Sequence, residues 1–172
     1  SRPEPRKRPG KITLTYLEDK LNTDGLLYLG NEITENPQSL KSLGEESDSV
    51  TVWGELTDVE HKDTRNGVYT IITAALCDDT GRVPVKLFAK AEIIEDYDFL
   101  EDGAVFVMHG SYKLDTFANE MQFNPTDIMQ VSLRDDYTMK TPAPKPSSQG
   151  GSASSAPAMT KANVFAEPEE MD

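Results

Sequence analysis

Two histidines, one cysteine and thirty carboxylates are what this sequence offers for catalysis or metal binding. His61 and His109 stand far apart in the chain, and no His, Cys or carboxylate cluster has the spacing of zinc ligands. No GxSxG elbow, phosphate loop or dinucleotide fingerprint is present. Asp78 and Asp79 are adjacent, and Asp next to Thr80-Gly81 reads as a turn former. Glu92, Glu95, Asp96 and Asp98 read as a solvated helix face, and Met108, Met121 and Met129 as packing residues. The residues therefore predict no catalytic site, no metal site and no cofactor.

The side chains do offer contact with single-stranded nucleic acid, in which cations hold phosphates and aromatic rings stack on bases. The candidates are Lys86, Phe88, Arg82 and Tyr69 in one hairpin, Lys62 and Arg65 in the loop before it, and Phe117 with Lys113 further on. Trp53 is expected on the same outer side.

The element that must position them is the stretch 66–88, NGVYTIITAALCDDTGRVPVKLF. Its alternation predicts a β-hairpin turning at Asp78-Asp79-Thr80-Gly81, with Asp and Gly supplying positive φ and side-chain bonds to the backbone. Val68, Thr70, Ile72, Ala74 and Leu76 fall on one face with Val83, Val85 and Leu87. Tyr69, Ile71, Thr73 and Ala75 fall on the other with Arg82, Pro84, Lys86 and Phe88.

Before the hairpin, 50–61 predicts a strand in which Val59 falls out of phase. A bulge there, and close packing at Gly54, are the expected causes. After it, Ile93, Tyr97 and Leu100 predict a short amphipathic helix over 89–101. A strand over 103–112, a loop over 114–119 and a last strand over 121–131, broken at Asn124-Pro125, follow. Three strands, a helix and two strands is the order of an OB-fold barrel, whose ligand face lies on its second and third strands. The expected fold is thus mainly β: a five-stranded OB barrel with a short helix between strands 3 and 4.

The domain plan follows from composition. Residues 1–10, with Arg2, Arg6, Lys7 and Arg8 between prolines, predict a disordered basic linker. Residues 11–49 predict an irregular lead-in packing on the barrel, 50–134 the OB domain, and 135–172 a disordered tail rich in Pro, Ser, Ala and Gly. No apolar run has the length of a membrane span. The lone Cys77 favours a reducing compartment, and the initial Ser reads as the start of a piece cut from a longer chain. The net charge of −13 opposes a broad grip on phosphates, so any nucleic-acid contact must be local.

Residues 26–131 resemble the OB-fold region near the N-terminus of PolC-type DNA polymerase III α subunits of low-GC Gram-positive bacteria. The likeness runs through Gly54-Glu55, Asp58-Val59-Glu60, Gly67, Cys77-Asp78-Asp79-Thr80 and Val85-Lys86-Leu87-Phe88. It continues through Glu101-Asp102-Gly103, Val105, Gly110 and Leu114-Asp115-Thr116-Phe117. The lead-in LYLGNEITENPQSLKSLGEES also looks like the family's.

The resemblance implies a non-catalytic module of a bacterial, cytoplasmic DNA-directed DNA polymerase with 3′–5′ exonuclease. Its partners would be single-stranded DNA, the polymerase's other domains and replisome proteins. Two departures stand out. Ala74 and Ala75 replace larger apolar or cationic residues, and 50–131 holds six Lys/Arg against fifteen Asp/Glu. A scaffolding OB domain that docks proteins without touching DNA is the second expectation.

Overall fold

In a computed structural model, residues 4–140 are described. Seven strands form one sheet: β1 (Gly10–Thr13), β2 (Asp24–Leu29), β3 (Ser47–Asp63), β4 (Tyr69–Cys77), β5 (Arg82–Lys90), β6 (Val105–Asp115) and β7 (Glu120–Val131). β3 is long enough to serve two neighbours. Ser47–Glu55 pairs antiparallel with β6, and Glu55–Asp63 with β4. β4 pairs with β5 and β6 with β7, and a single parallel pairing, Val85 to Phe123, joins β5 to β7 and closes a ring of five strands. Beyond that pairing the free edge of β7 takes β2 instead, and β2 takes β1.

Tight coiling of the ring depends on two glycines. A Cβ on Gly54 would overlap the carbonyl oxygen of Cys77, and one on Gly110 would overlap that of Asn124. The expected bulge in β3 lies between Thr57 and Glu60, with Asp58 at φ 57°. It shifts the side-chain phase, which is why Val59 breaks the alternation.

Two apolar cores result. Inside the ring, Val52, Leu56, Ile72, Leu76, Val85, Phe106, Met108, Phe123 and Ile128 pack together, and Tyr97, Phe99 and Leu100 join them. On the outside of β3, β6 and β7, Trp53, Val107 and Met129 stand in one row across the three strands. Ile12, Leu14, Tyr16, Leu21, Leu27 and Ile33 cover that row. Each large apolar side chain so buried contributes about 1.5–3 kcal/mol, so six of them hold the lead-in firmly.

Several expectations change. The sheet has seven strands rather than five, because the lead-in, irregular elsewhere, supplies β1, with Ile12 buried, and β2, with Leu27 and Leu29 buried. Trp53 is not on an open face but beneath that lead-in, 4% exposed. The expected linker 1–10 is docked where it is described. Pro5 is buried, Arg6 N–H donates to Tyr28 O at 2.7 Å, and Gly10 opens β1.

The helix over 89–101 is a shorter 3-10 segment, Ala91–Tyr97, kinked at Ile93. β7 is continuous through Asn124-Pro125 and absorbs the irregularity as a one-residue register shift against β6. No residue of the Asp78–Gly81 turn has positive φ; the Asp78 side chain accepts three bonds within the turn, and Asp78 N–H donates to Gly81 O at 3.1 Å. Val68, expected inside, is 51% exposed ahead of β4. Packing extends past 134, since Tyr137 and Met139 join the outer core. The remaining tail, 141–172, lies outside the described residues. No helix among the described residues is long and apolar enough to cross a membrane.

Candidate nucleic-acid interface

The register of β3, β4 and β5 defines the face that the sequence singles out. Lys62, Ile71 and Phe88 stand in one row across the three strands, and Glu60, Thr73 and Lys86 in the next. Tyr69 pairs with Lys90 beyond them, and Cys77 with Arg82 at the far end. Cross-strand neighbours on one face lie about 5 Å apart, so each row is a continuous surface. Thr70, Ile72 and Leu76 point the other way and are buried, as the alternation predicts.

Charge is unevenly available on this face. Lys86 Nζ lies 2.9 Å from Asp115 Oδ2 and 5.6 Å from the centre of the Phe88 ring. The hydrogen bond from Lys86 is the main reason the Asp115 carboxyl titrates below its usual range. Arg82 pairs with Asp58, and Lys113 with Asp48, whose hydrogen bond raises the Lys113 ammonium and lowers the Asp48 carboxyl. These three cations already hold an acid each. Lys62 and Arg65 form no ion pair among the described residues, and both are exposed.

The loop carrying Arg65 is held by its own polar groups. Thr64 N–H donates to Tyr69 O, Tyr69 N–H donates to Thr64 Oγ1, and Asn66 Oδ1 accepts from Val68 N–H at 3.0 Å. Gly67, at φ 73°, makes the turn. Arg65 thus sits on a shaped tip rather than a loose one, with Tyr69, 37% exposed, at its base. At the β6–β7 turn Phe117 is 98% exposed, its main-chain N–H donating to Asp115 Oδ1.

Where β5 parts from β7 a cleft of about 370 Å³ opens, lined by Leu29, Lys86, Leu87, Phe88, Asn124 and Thr126 among others. Asn124 Nδ2 donates to Lys86 O at 2.9 Å and ties the two walls together. Asn124 and Thr126 carry no binding signal in the sequence, where the segment reads as a break in the last strand. The signal was Pro125: a proline has no N–H for the ladder and marks where pairing gives way.

His109 also gains partners that the sequence did not indicate. Its Nε2 lies 2.9 Å from Ser49 Oγ and its Nδ1 2.8 Å from Glu35 Oε1, with Thr51 Oγ1 bonded to the same carboxylate. The order Ser, His, Glu is that of a nucleophile relay. Here, however, Ser49 stands on an exposed extended strand, its own N–H donating to Ser47 Oγ, and none of these residues lines the cleft. The cluster clips the loop before Leu40 to β3 and β6. Among the described residues no group of three or more His, Cys, Asp or Glu is placed to hold a metal ion.

No family model matches the chain. The DNA polymerase III PolC-type of Halalkalibacterium halodurans is 29% identical over 125 residues, which is 71% of this chain and 8% of the polymerase. The PolC likeness read from the residues is therefore found again by direct comparison, over a small part of a much longer relative. Among solved structures, one described as RecG bound to a three-way DNA junction overlays 52% of this chain and 11% of its own. It does so at 20% identity and a TM-score of 0.35.

Proposed function

We propose that this chain is an OB-type barrel with two added strands, acting as a non-catalytic accessory domain of a bacterial, cytoplasmic replicative DNA polymerase of the PolC type. In this reading it helps hold single-stranded template during replication. The likeness to the polymerase segment supports the setting. The ring order β3-β4-β5-β7-β6 supports the barrel type, since it joins three meandering strands to a closing pair.

The observation that carries the DNA contact is the Lys62–Ile71–Phe88 row beside Arg65. It sets two cations that hold no acid among the described residues next to an apolar and aromatic surface. Phosphates would meet Lys62 and Arg65 first. Phe88, Tyr69 and Phe117 would stack bases, each stacked base being worth about 1–3 kcal/mol. Lys86, Arg82 and Lys113 would contribute less, because each must exchange a carboxylate for a phosphate. No cofactor enters this role.

A second reading, docking of other polymerase domains or replisome proteins without DNA contact, is favoured by the −13 charge and by those three neutralised cations. Fluorescence anisotropy with labelled oligo-dT at low salt separates the two. Binding that weakens in Phe88→Ala supports the first reading, and no binding at any attainable concentration supports the second.

A further inference from the structure

We infer that the docked N-terminal segment, Arg6 to Lys11, is a second phosphate-binding site that continues the proposed single-strand path past the cleft. The inference rests on the proposed DNA reading and adds a surface to it. Residues 5–17 hold Arg6, Lys7, Arg8 and Lys11 and no Asp or Glu, in a chain whose net charge is −13. All four cations are exposed, and Lys7, Arg8 and Lys11 form no ion pair among the described residues.

The segment is fixed in place. Glu4 pairs with Lys90 at the end of β5, at 3.3 Å, and Pro5 is buried. Arg6 N–H donates to Tyr28 O and its guanidinium to Gly30 O, at the end of β2. Ile12 and Leu14 then anchor β1 in the outer core, so Lys11 is turned to solvent.

The geometry follows from these partners. Lys90 lies two residues beyond Phe88, and Gly30 follows Leu29; Phe88 and Leu29 both line the cleft. Residues 4–6 therefore bridge β5 and β2 at one end of the opening, and the basic run starts there. Two residues before Phe88 along β5, Lys86 also lines the cleft and is paired with Asp115 at the end of β6. A strand lying in the cleft meets aromatic surface in the middle and unneutralised cations at that end. Because the segment is already ordered, binding does not have to immobilise it, which lowers the entropic cost.

The test uses the whole 172-residue chain, fluorescein-labelled oligo-dT and a salt series, with folding checked by thermal melts. The variant Lys7→Ala/Arg8→Ala/Lys11→Ala is expected to bind roughly tenfold more weakly at low salt. The slope of log affinity on log salt should fall by about 2, since each phosphate contact contributes about 0.7 on single strands. The charge-conserving Lys7→Arg/Arg8→Lys/Lys11→Arg should bind like the unaltered chain. If the triple alanine variant keeps both affinity and slope while Lys62→Ala/Arg65→Ala weakens binding, the N-terminal site is wrong and the outer face stands. If the unaltered chain binds no oligo-dT, both fall.

Discussion

Asp78 Oδ2 accepts the main-chain N–H of Leu40 at 2.9 Å, across thirty-eight residues of sequence. The other oxygen accepts from Thr80 N–H, Thr80 Oγ–H and Gly81 N–H. One buried carboxylate thus shapes the β4–β5 turn and pins the lead-in to it. Next to it Thr80 Oγ1 accepts from Lys41 N–H, and Asp79 Oδ1 accepts from Lys140 N–H. The Asp-Asp-Thr run is a fastening point for the end of the lead-in, at Leu40 and Lys41, and for the C-terminal end of the described chain, at Lys140.

Asp78→Ala should therefore cost about 3 kcal/mol, because it strands the buried Leu40 N–H and the partly buried Thr80 and Gly81 N–H groups at once. Asp78→Asn should cost less, since its amide oxygen still accepts. Urea unfolding checks both, and a loss below about 1 kcal/mol for the alanine variant would contradict the role.

Gly54→Ala and Gly110→Ala should each destabilise by about 2–4 kcal/mol, since the new methyl meets backbone that cannot swing aside. Gly44→Ala, where a Cβ has open space and φ is not positive, should be close to neutral. Thermal midpoints of the three variants compare them directly. Equal midpoints would mean that the ring is not coiled as described.

The hairpin faces, the bulge in β3 and the tight approach at Gly54 were legible in the sequence because alternation and glycine placement report directly on side-chain direction. The lead-in was not, since β1 has four residues and β2 six. Strands that short, interrupted by Gly25 and Gly30, leave too few periods to read. Phase places Trp53 outward, as found, but phase cannot tell an open face from one covered by another segment. Pairing of Lys86 with Asp115 and Arg82 with Asp58 joins residues far apart in sequence, and no local pattern announces it.

Tyr16 buries its ring and donates its hydroxyl to Ile33 O at 2.7 Å. Desolvation, helped by the nearby Glu32 and Glu35 carboxylates, pushes its pKa up from 10.0 to about 12. The unfolded chain ionises this group first, so its contribution to stability is complete below pH 10 and is lost as pH rises through about 12. Phenolate absorbance during alkaline titration should show a late-ionising component that shrinks in Tyr16→Phe, the remainder belonging to Tyr112, whose pKa burial also raises. That variant should also lose about 1 kcal/mol by leaving the Ile33 carbonyl unpaired.

Lys62→Ala/Arg65→Ala should weaken oligo-dT binding about three- to tenfold at low salt, and Arg82→Ala/Lys113→Ala by less than twofold. The contrast follows from which cations already hold acids, and anisotropy titrations read it. The reverse ranking would mean that the ion pairs open to make the site.

The most direct test of the account is amide chemical-shift mapping of the whole chain with unlabelled oligo-dT. Shifts should concentrate on Lys62, Arg65, Tyr69, Ile71, Lys86, Phe88 and the rim of the cleft, and should fade as salt is raised. Shifts confined to other surfaces, or none at saturating oligonucleotide, would contradict a nucleic-acid role for the outer face of β3, β4 and β5.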